Sequence, residues 1–426
     1  MSSRPIVVAG GGAAGVFAAI TAAETGAHVT ILEKTARVLE KVRISGGGRC
    51  NVTHACFEPR EFASRYPRGG RALLSPFQKF SAADTVAWFA ARGVKLKTEA
   101  DGRMFPVTDS SQTIVDCLTA AATRAGVQFR LNCPVEAVSR RTDGRFELRL
   151  GGTGDSLSRS VGQFASSASS ASSGENLICD RLLLATGGCR AAAAGALAVS
   201  LGHSMIPPVP SLFTFQIGSP WMLSLAGVAA DAEVFLPAAK LRERGPLLIT
   251  HWGLSGPAIL KISAWGARAL HDLNYQFALR VNWLPSLSPE QILLEFQARR
   301  ESSGAKLLVN VPVFPLTIRL WEQLVLAAGI AREVRWATLT KAQAQALVGQ
   351  LTRTEFQVTG KSLNRDEFVT CGGISLDEVN FKTLESKICP GLFFAGELLD
   401  LDGVTGGFNF QAAWTTGFVA GHALAA

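Results

Sequence analysis

The amino-acid sequence predicts an α/β protein built on a dinucleotide-binding Rossmann unit, with a β-rich domain and a small helical domain inserted into it. Three observations predict this class. A strand, glycine turn, helix and strand follow one another near the N-terminus, and a second strand, turn and helix stand at the far end. The segments between them change from alternating to helical hydrophobic patterns. A chain of 426 residues is long enough for two or three structural units.

The first element is a βαβ unit. Pro5 to Ala9 is a short apolar run typical of a buried parallel strand, an alanine-rich helix follows and ends at Gly26, and His28 to Leu32 forms the next strand. Glu33 closes that strand, at the distance where an acidic residue accepts the ribose hydroxyls of a dinucleotide. The first glycine of the turn should permit a tight bend, the second should let a pyrophosphate approach, and the third should let helix meet strand. These glycines are Gly10, Gly12 and Gly15.

The C-terminal pattern predicts the other half of a flavin site. Leu392 to Ala395 reads as a strand, followed by a turn at Gly396 and Glu397, an acidic loop, and a small-residue helix that opens at Gly406 or Gly407. We expect the carboxylate to reach the ribityl chain. The helix N-terminus should face the pyrimidine edge of the ring, where partial positive charge favours the reduced flavin. A merely close-packed helix would explain the small residues but not the Gly-Glu turn. The two ends of the chain therefore predict one FAD site.

A third glycine cluster, "SGGGRCN", follows the second strand and its loop. Glycines are expected where side chains would collide with the pyrophosphate or the ring. Arg49 could pair with a phosphate, and Cys50 and Asn51 would face the ring. A packed or flavin-adjacent Cys50 is favoured over a redox disulfide with Cys56.

The middle of the chain predicts the inserted domains. Residues 151–174 are a Ser/Gly/Ala-rich stretch, which predicts a flexible surface hairpin loop. Proline-marked alternating segments after Gly188 predict strands, and Ser288 begins the first of several helices that run to about Leu351. The predicted boundaries are 1–195 and 365–426 for the FAD-binding domain, 196–287 and 352–364 for the β-rich domain, and 288–351 for the helical domain.

Composition narrows the class of partner. The net charge of +8 and pI near 9.2 suit a phosphorylated cofactor, a carboxylate substrate or nucleic acid, although Lys and Arg form no tract. Eight cysteines without a C-x-x-C pattern or a His-rich run predict reduced thiols and no metal. No signal peptide and no apolar window of about 20 residues is recognisable, so we expect a cytoplasmic protein without a membrane partner.

Longer words carry a family resemblance. "ISGGGRCNVT", "GRMFP", "LLATGG", "THWGLSGPAIL" and the stretch from "VTCGGISLDEV" to "GGFNFQ" occur in this order. In these words the chain resembles the BaiN/RdsA-type NAD(P)/FAD-dependent oxidoreductases. The resemblance implies a glutathione-reductase-like FAD domain and reduction of a C=C bond, in a small molecule or in the uridine of ribosomal RNA. Because no second Rossmann fingerprint is present, NAD(P)H is expected as a transient reductant. A flavin-bearing RNA-binding or assembly factor without turnover is the alternative from another class.

The resemblance and the motifs together predict the site residues. His251 is the leading candidate for a general acid, with a structural histidine as the other interpretation, and Cys371 and Cys50 are weaker candidates. Arg103 could hold an anionic substrate or anchor its loop. His28, His54, His203, His271 and His422 are expected to be structural or exposed. The residues predicted to bind the cofactor are Gly10, Gly12, Ala13, Ala14, Gly15, Glu33, Lys34, Ser45, Gly46, Gly47, Gly48, Arg49, Asn51, Val135, Thr186, Gly187, Gly396, Glu397, Asp402, Gly406, Gly407, Phe408 and Asn409.

Overall fold

The computed structural model of the protein describes residues 5–151, 174–189, 192–362 and 369–426. The chain forms two compact units, one from Met1–Val209 with Val369–Ala426 and the other from Pro210–Phe368. Residues 152–173, which make up most of the predicted hairpin loop, lie outside the described residues. The strands on either side of them pair with each other in antiparallel fashion.

The elements follow one another in this order. The strands are β1 Ile6–Ala9, β2 Val29–Leu32, β3 Thr53–His54, β4 Leu96–Thr98, β5 Arg103–Pro106, β6 Gln128–Arg130, β7 Val135–Arg140, β8 Phe146–Leu150, β9 Asn176–Cys179, β10 Arg181–Leu184, β11 Met205–Ser211, β12 Phe215–Ile217, β13 Ala229–Leu236, β14 Leu241–Thr250, β15 Gly253–Ser255, β16 Phe277–Asn282, β17 Thr354–Lys361, β18 Val369–Ile374, β19 Val379–Asn380, β20 Glu385–Ser386 and β21 Leu392–Phe394. The α-helices are α1 Ala13–Glu24, α2 Glu40–Gly48, α3 Pro59–Ala63, α4 Gly70–Lys79, α5 Ala82–Ala90, α6 Ser111–Arg124, α7 Ala192–Ser200, α8 Pro220–Leu223, α9 Pro257–Trp265, α10 Ala267–Asp272, α11 Pro289–Ser303, α12 Ile318–Ala327, α13 Lys341–Arg353 and α14 Phe408–Ala425.

A seven-stranded sheet forms the centre of the first unit, in the order β19-β20-β21-β10-β1-β2-β6. Strands β21, β10, β1, β2 and β6 run parallel to one another, whereas β20 is antiparallel to β21. The central strand β1 is buried along its whole length, which is why its sequence is an unbroken apolar run. The C-terminal strand β21 pairs with β10, so both ends of the chain build one sheet. This sheet confirms the predicted α/β class.

The first and last helices of this unit pack closely. A Cβ on Gly417 would lie 2.6 Å from the carbonyl oxygen of Ala14, and a Cβ on Gly421 would lie 2.5 Å from that of Ala18. Both distances are too short for a real contact, so only glycine fits at these two positions, which lie four residues apart on one face of α14. The small residues of the C-terminal helix are therefore needed for packing.

The second unit is a closed barrel with the strand order β12-β15-β14-β13-β16-β17. Helices α11, α12 and α13 are inserted before the last barrel strand. Phe296 of α11, Trp321 of α12 and Trp336, which lies between α12 and α13, belong to the same buried cluster as the barrel residues Val234 and Leu279. The sequence divided this region into two domains beginning at residue 196. Barrel and helices share a core and belong to one compact unit, Pro210–Phe368, and the boundaries at residues 196 and 288 stay predictions.

Candidate active site

The fingerprint glycines of the first unit differ in what surrounds them. Gly10 has a φ of +114°, and a Cβ there would overlap the carbonyl of Ala185 at the end of β10. A Cβ on Gly15 would overlap the carbonyl oxygen of Gly10. Gly12 has an ordinary φ of −80°, and a Cβ there would meet no atom within 4 Å. Gly10 and Gly15 are thus required by the protein's own packing, whereas Gly12 borders open space.

The N-terminus of α1 lies at that open space. Gly12 is its N-cap residue, and among the described residues no side chain caps the helix and its first turn carries no acidic residue. The backbone amides of Ala13 and Ala14 in this first turn have no partner within the helix. A helix end of this kind attracts phosphate through its amides and the helix dipole.

Glu33 lies at the end of β2, beside the same turn. Its Oε2 accepts a hydrogen bond of 2.7 Å from the Gly11 amide, and its Oε1 accepts from the amide and hydroxyl of Thr35 at 2.9 and 2.8 Å. A carboxylate has about four acceptor positions, so Glu33 can order the turn and still accept a ribose hydroxyl. Val135 begins β7 close by, because the Cys133 amide donates to the Glu33 carbonyl at 2.8 Å.

The glycine triplet has a left-handed backbone. The φ angles of Gly46, Gly47 and Gly48 are +59°, +67° and +82°, and Ser45 is extended, which breaks α2 at this point. A Cβ on Gly47 or Gly48 would meet no protein atom within 4 Å, and both residues are exposed. Only glycine adopts three such conformations in succession at low cost. The segment therefore presents bare backbone to open space.

Arg49 and Asn51, which flank the triplet's end, bind protein groups. Arg49 donates to Glu99 at 2.7 Å, lies 3.6 Å from Asp109, and stacks 4.1 Å from the Phe105 ring centroid. These partners orient the guanidinium, and its pairing with a phosphate stays a prediction. In the amide orientation that satisfies both of its groups, Asn51 donates to the Thr53 carbonyl and accepts from the Gly407 amide at 3.0 and 2.9 Å. Asn51 thus joins the triplet to the start of α14.

The Gly-Glu turn after β21 lies beside the end of β10. Glu397 accepts from the Thr370 amide at 3.0 Å and pairs with Lys41 at 2.6 Å. A Cβ on Gly188 would lie 2.6 Å from Glu397 Oε1. Neighbouring Gly187 has a φ of +79° and open space around its Cα, as Gly12 does. The structure therefore brings Gly187 and Glu397, predicted from distant parts of the sequence, to the same edge of the sheet.

Three residues predicted to contact the cofactor have side chains that already bind or pack against other groups of the protein. Asp402 is fully buried and paired with Arg68. Phe408 is buried against the rings of His54 and Phe62, at 4.9 and 4.8 Å. Asn409 exchanges two hydrogen bonds with the backbone of Gly403, at 2.8 and 2.9 Å. These side chains hold the turn together, and their contact with a cofactor stays a prediction.

The glycines that border open space, which we call the open glycines, are the feature of this unit that bears on FAD binding. Gly12, Gly47, Gly48 and Gly187 each lie where a Cβ would meet nothing in the protein. An open helix N-terminus lies at the first of them, and the others carry backbone without side chains. An uncapped helix N-terminus suits the anionic middle of FAD, and bare backbone leaves room for a ligand to approach closely.

The proposed proton donors lie in different environments. Burial raises the pKa of the Cys50 thiol to about 12, and Cys371 is fully buried in β18. All eight cysteines are buried and none forms a disulfide in the described structure, Cys50 and Cys56 included. His251 lies in the second unit, exposed with Trp252 at the tip of the two-residue turn between β14 and β15. Among the three, His251 alone has a side chain open to solvent.

Sequence reasoning missed residues around the start of α14. His54 was expected to be structural or exposed, and it makes structural contacts: its ring stacks on Phe408 next to Gly406, and its Nε2 donates to the Asp101 carbonyl at 3.1 Å. Its position directly after "RCNVT" was the available signal. Arg68 and Tyr66 also contact this turn, and no local motif marks them. Arg103 pairs with Asp101 and Glu99, which supports its interpretation as a loop anchor.

Comparison with known proteins agrees with the fold. The family model of the HI0933-like protein Rossmann domain matches residues 4–423. The chain belongs to the HI0933-like family. This HI0933-like protein is 31% identical over 431 residues to the ribosomal RNA dihydrouridine synthase of Escherichia coli (strain K12), covering 99% of this chain and 98% of the relative. It is 28% identical over 435 residues to the 3-dehydro-bile acid delta(4,6)-reductase of Clostridium scindens, with the same two coverages of 99% and 98%.

A solved structure shares the fold of this HI0933-like protein. The 3-ketosteroid-delta4-(5alpha)-dehydrogenase from Rhodococcus jostii RHA1 matches with a TM-score of 0.51 at 13% identity, over 100% of this chain and 97% of that one. The first unit is thus a Rossmann-type FAD-binding domain of a flavoenzyme oxidoreductase family, and the predicted BaiN/RdsA-type resemblance is confirmed. Within the described ranges, no helix is long and apolar enough to cross a membrane. The same residues contain no cluster of His, Cys, Asp and Glu suited to a metal ion.

Proposed function

We propose that this protein binds FAD and reduces a C=C bond conjugated to a carbonyl group, with NAD(P)H as the electron donor. The observation that carries the proposal is the set of open glycines at Gly12, Gly47, Gly48 and Gly187, together with the uncapped N-terminus of α1. Bound FAD would supply the hydride chemistry. The relatives named as a dihydrouridine synthase and a bile acid reductase support reduction of a conjugated double bond.

The protein's own residues would bind the cofactor and handle the proton. The α1 amides would hold the pyrophosphate, Glu33 a ribose, and the backbone of Gly406 and Gly407 the pyrimidine edge of the ring. Reduction of a conjugated C=C bond also requires a proton at the carbon next to the carbonyl. We assign this proton to His251, because its imidazole is exposed whereas the thiols of Cys50 and Cys371 are buried.

A second candidate substrate is uridine in ribosomal RNA. The relative that is 31% identical over nearly the whole chain is a ribosomal RNA dihydrouridine synthase, and the net charge of +8 suits a polyanionic substrate. The C5–C6 double bond of uridine is conjugated to the C4 carbonyl. The chemistry is therefore the same as for an enone, and the two candidates differ in what surrounds the reacting bond.

Three measurements test the proposal in sequence. Heat should release FAD, and not FMN, from the purified yellow protein. Anaerobic mixing with NADPH or NADH should bleach the flavin, and addition of a steroid enone or of unmodified ribosomal RNA should restore its colour. Comparing dihydrouridine in ribosomal RNA from cells with and without the protein then separates the two substrates. A flavin that stays oxidised with both nucleotides would contradict the NAD(P)H assignment and favour an RNA-binding factor without turnover.

A further inference from the structure

Residues 65–69, between α3 and α4, contact both sides of the Gly406–Gly407 turn. Before the turn, the Val404 amide donates to the Arg65 carbonyl at 2.9 Å, and Arg68 binds both carboxylate oxygens of Asp402, with Nε to Oδ1 at 2.6 Å. After the turn, the Tyr66 hydroxyl donates to the Phe408 carbonyl at 2.5 Å. We call residues 65–69 the clamp.

The Arg68–Asp402 pair is buried to an unusual degree. The Asp402 side chain is 0% exposed and that of Arg68 is 17% exposed. The desolvation of such a pair offsets much of its attraction, so burial of this kind adds little net stability, but removing one partner leaves a costly buried charge. The two-point Arg–carboxylate geometry does fix direction and distance. The Arg68–Asp402 pair is therefore better explained as fixing the position of this loop than as stabilising the fold.

The position of this turn matters for the helix that follows it. Gly407 is the N-cap residue of α14, with a φ of +94°, and a Cβ on it would lie 2.5 Å from the Thr53 carbonyl oxygen. The field of a helix dipole decreases within about one turn of the helix end. A small displacement of the Gly406–Gly407 turn therefore changes the positive potential that the helix places on a group beside it.

We propose that Arg68 and Tyr66 are positioning residues that hold the Gly406–Gly407 turn against the bound flavin and so raise its reduction potential. The inference rests on the proposed function in taking FAD as the ligand. Partial positive charge at the α14 N-terminus stabilises the electron-rich reduced ring. When the clamp is weakened, the helix end moves away from the ring, and the reduced state loses that stabilisation.

The variants separate positioning from a direct field effect of the charges. Arg68→Gln removes a positive charge and Asp402→Asn removes a negative one, so a direct field effect would shift the potential in opposite directions. Loss of positioning shifts it to more negative values in both. Tyr66→Phe removes the hydroxyl on the other side of the turn without changing any charge, and Arg68→Lys keeps the charge but loses the two-point geometry. The matched control is Arg92→Gln, because the Arg92 side chain is 18% exposed and pairs with Glu24 elsewhere in the same unit.

The experiment measures the flavin midpoint potential of each purified holo-protein by spectroelectrochemistry, the FAD dissociation constant, and the melting temperature of the apo-protein. We expect more negative potentials in Arg68→Gln, Asp402→Asn and Tyr66→Phe, a smaller shift in Arg68→Lys, and none in Arg92→Gln. FAD affinity should fall about 10-fold in Arg68→Gln. If Arg68→Gln and Asp402→Asn do not fold, the Tyr66→Phe result decides.

Two results would overturn the inference alone. One is a pair of opposite shifts in Arg68→Gln and Asp402→Asn, and the other is unchanged potentials in all variants, even with lower melting temperatures. A wild-type protein that binds no flavin would instead overturn the proposed function, and this inference with it.

Discussion

Substitution of Gly12 by valine should remove FAD binding while leaving the fold intact. The φ and ψ of Gly12, −80° and −174°, are extended values that valine adopts readily, and a Cβ there would meet no protein atom within 4 Å. Valine is a poorer helix N-cap than glycine, which costs about 1 kcal/mol of folding stability. The added methyl groups would occupy the place where a pyrophosphate meets the α1 amides. Hydrogen bonds to a charged group contribute about 1.5–3 kcal/mol each, so losing two of them weakens binding at least about 100-fold.

The assay compares flavin content after purification, from absorbance near 450 nm, with the melting temperature of the apo-protein. Gly218→Val is the matched control, because Gly218 is exposed, lies just before another helix and has open space where its Cβ would be. This control should keep its full flavin content. Gly15→Ala should give the opposite failure, an unstable protein, because its Cβ overlaps the Gly10 carbonyl oxygen. A Gly12→Val protein with normal flavin content would refute the assignment of the α1 N-terminus to the pyrophosphate.

Three further predictions follow from the described contacts. His251→Ala should still bind FAD and be reduced by NAD(P)H, but the organic substrate should reoxidise its flavin about 100-fold more slowly in stopped-flow experiments. The Cys50→Ala and Cys371→Ala variants should show nearly normal reoxidation. The reverse pattern would make His251 structural. Gly407→Ala should lower the melting temperature of the apo-protein itself, because of its φ of +94° and the nearby Thr53 carbonyl, and unchanged stability would show that the turn relaxes freely. Burial holds the pKa of His203 below its ordinary value, so the neutral ring is favoured in the folded state. Its contribution to stability is fully present above the unfolded-state pKa of about 6.5 and is lost as the pH falls from that value through the lower pKa of the folded state. The melting temperature of His203→Gln should therefore fall less than that of the wild-type protein between pH 7.5 and 5.5. Equal falls would assign the acid sensitivity to other groups.

The parts of the fold that depend on near neighbours could be predicted from the sequence. The first strand was expected at residues 5–9 and is Ile6–Ala9, the first helix ends before Gly26, and the C-terminal helix begins directly after Gly407. Each boundary depends on glycines and apolar runs within a few residues. The candidate glycines could be named for the same reason, although the sequence does not tell which of them pack against protein and which border open space.

The pairing of charged side chains could not be predicted. Arg68 and Asp402 are 334 positions apart, and Arg49 and Glu99 are 50 apart. The sequence makes Arg49 a candidate partner of a phosphate and Asp402 a candidate cofactor contact. In the folded protein, Asp402 pairs with Arg68 and Arg49 pairs with Glu99. Tertiary structure brings these residues together, and a single sequence holds no local signal of such pairing.

The pairing of β21 with β10 and of α14 with α1 also sets an order of events during synthesis. The barrel strands β12 to β17 lie in one continuous stretch, which leaves the ribosome before any residue of β18, β21 or α14. Until then the edge of β10 and the face of α1 have no neighbour from the C-terminal segment, and at about 5–20 residues per second the roughly 200 residues between β10 and β21 take about 10–40 seconds. An exposed strand edge is where chains pair wrongly with one another. A nascent chain that stalls before α14 would therefore carry all the strands of its barrel and an aggregation-prone half of a flavin domain.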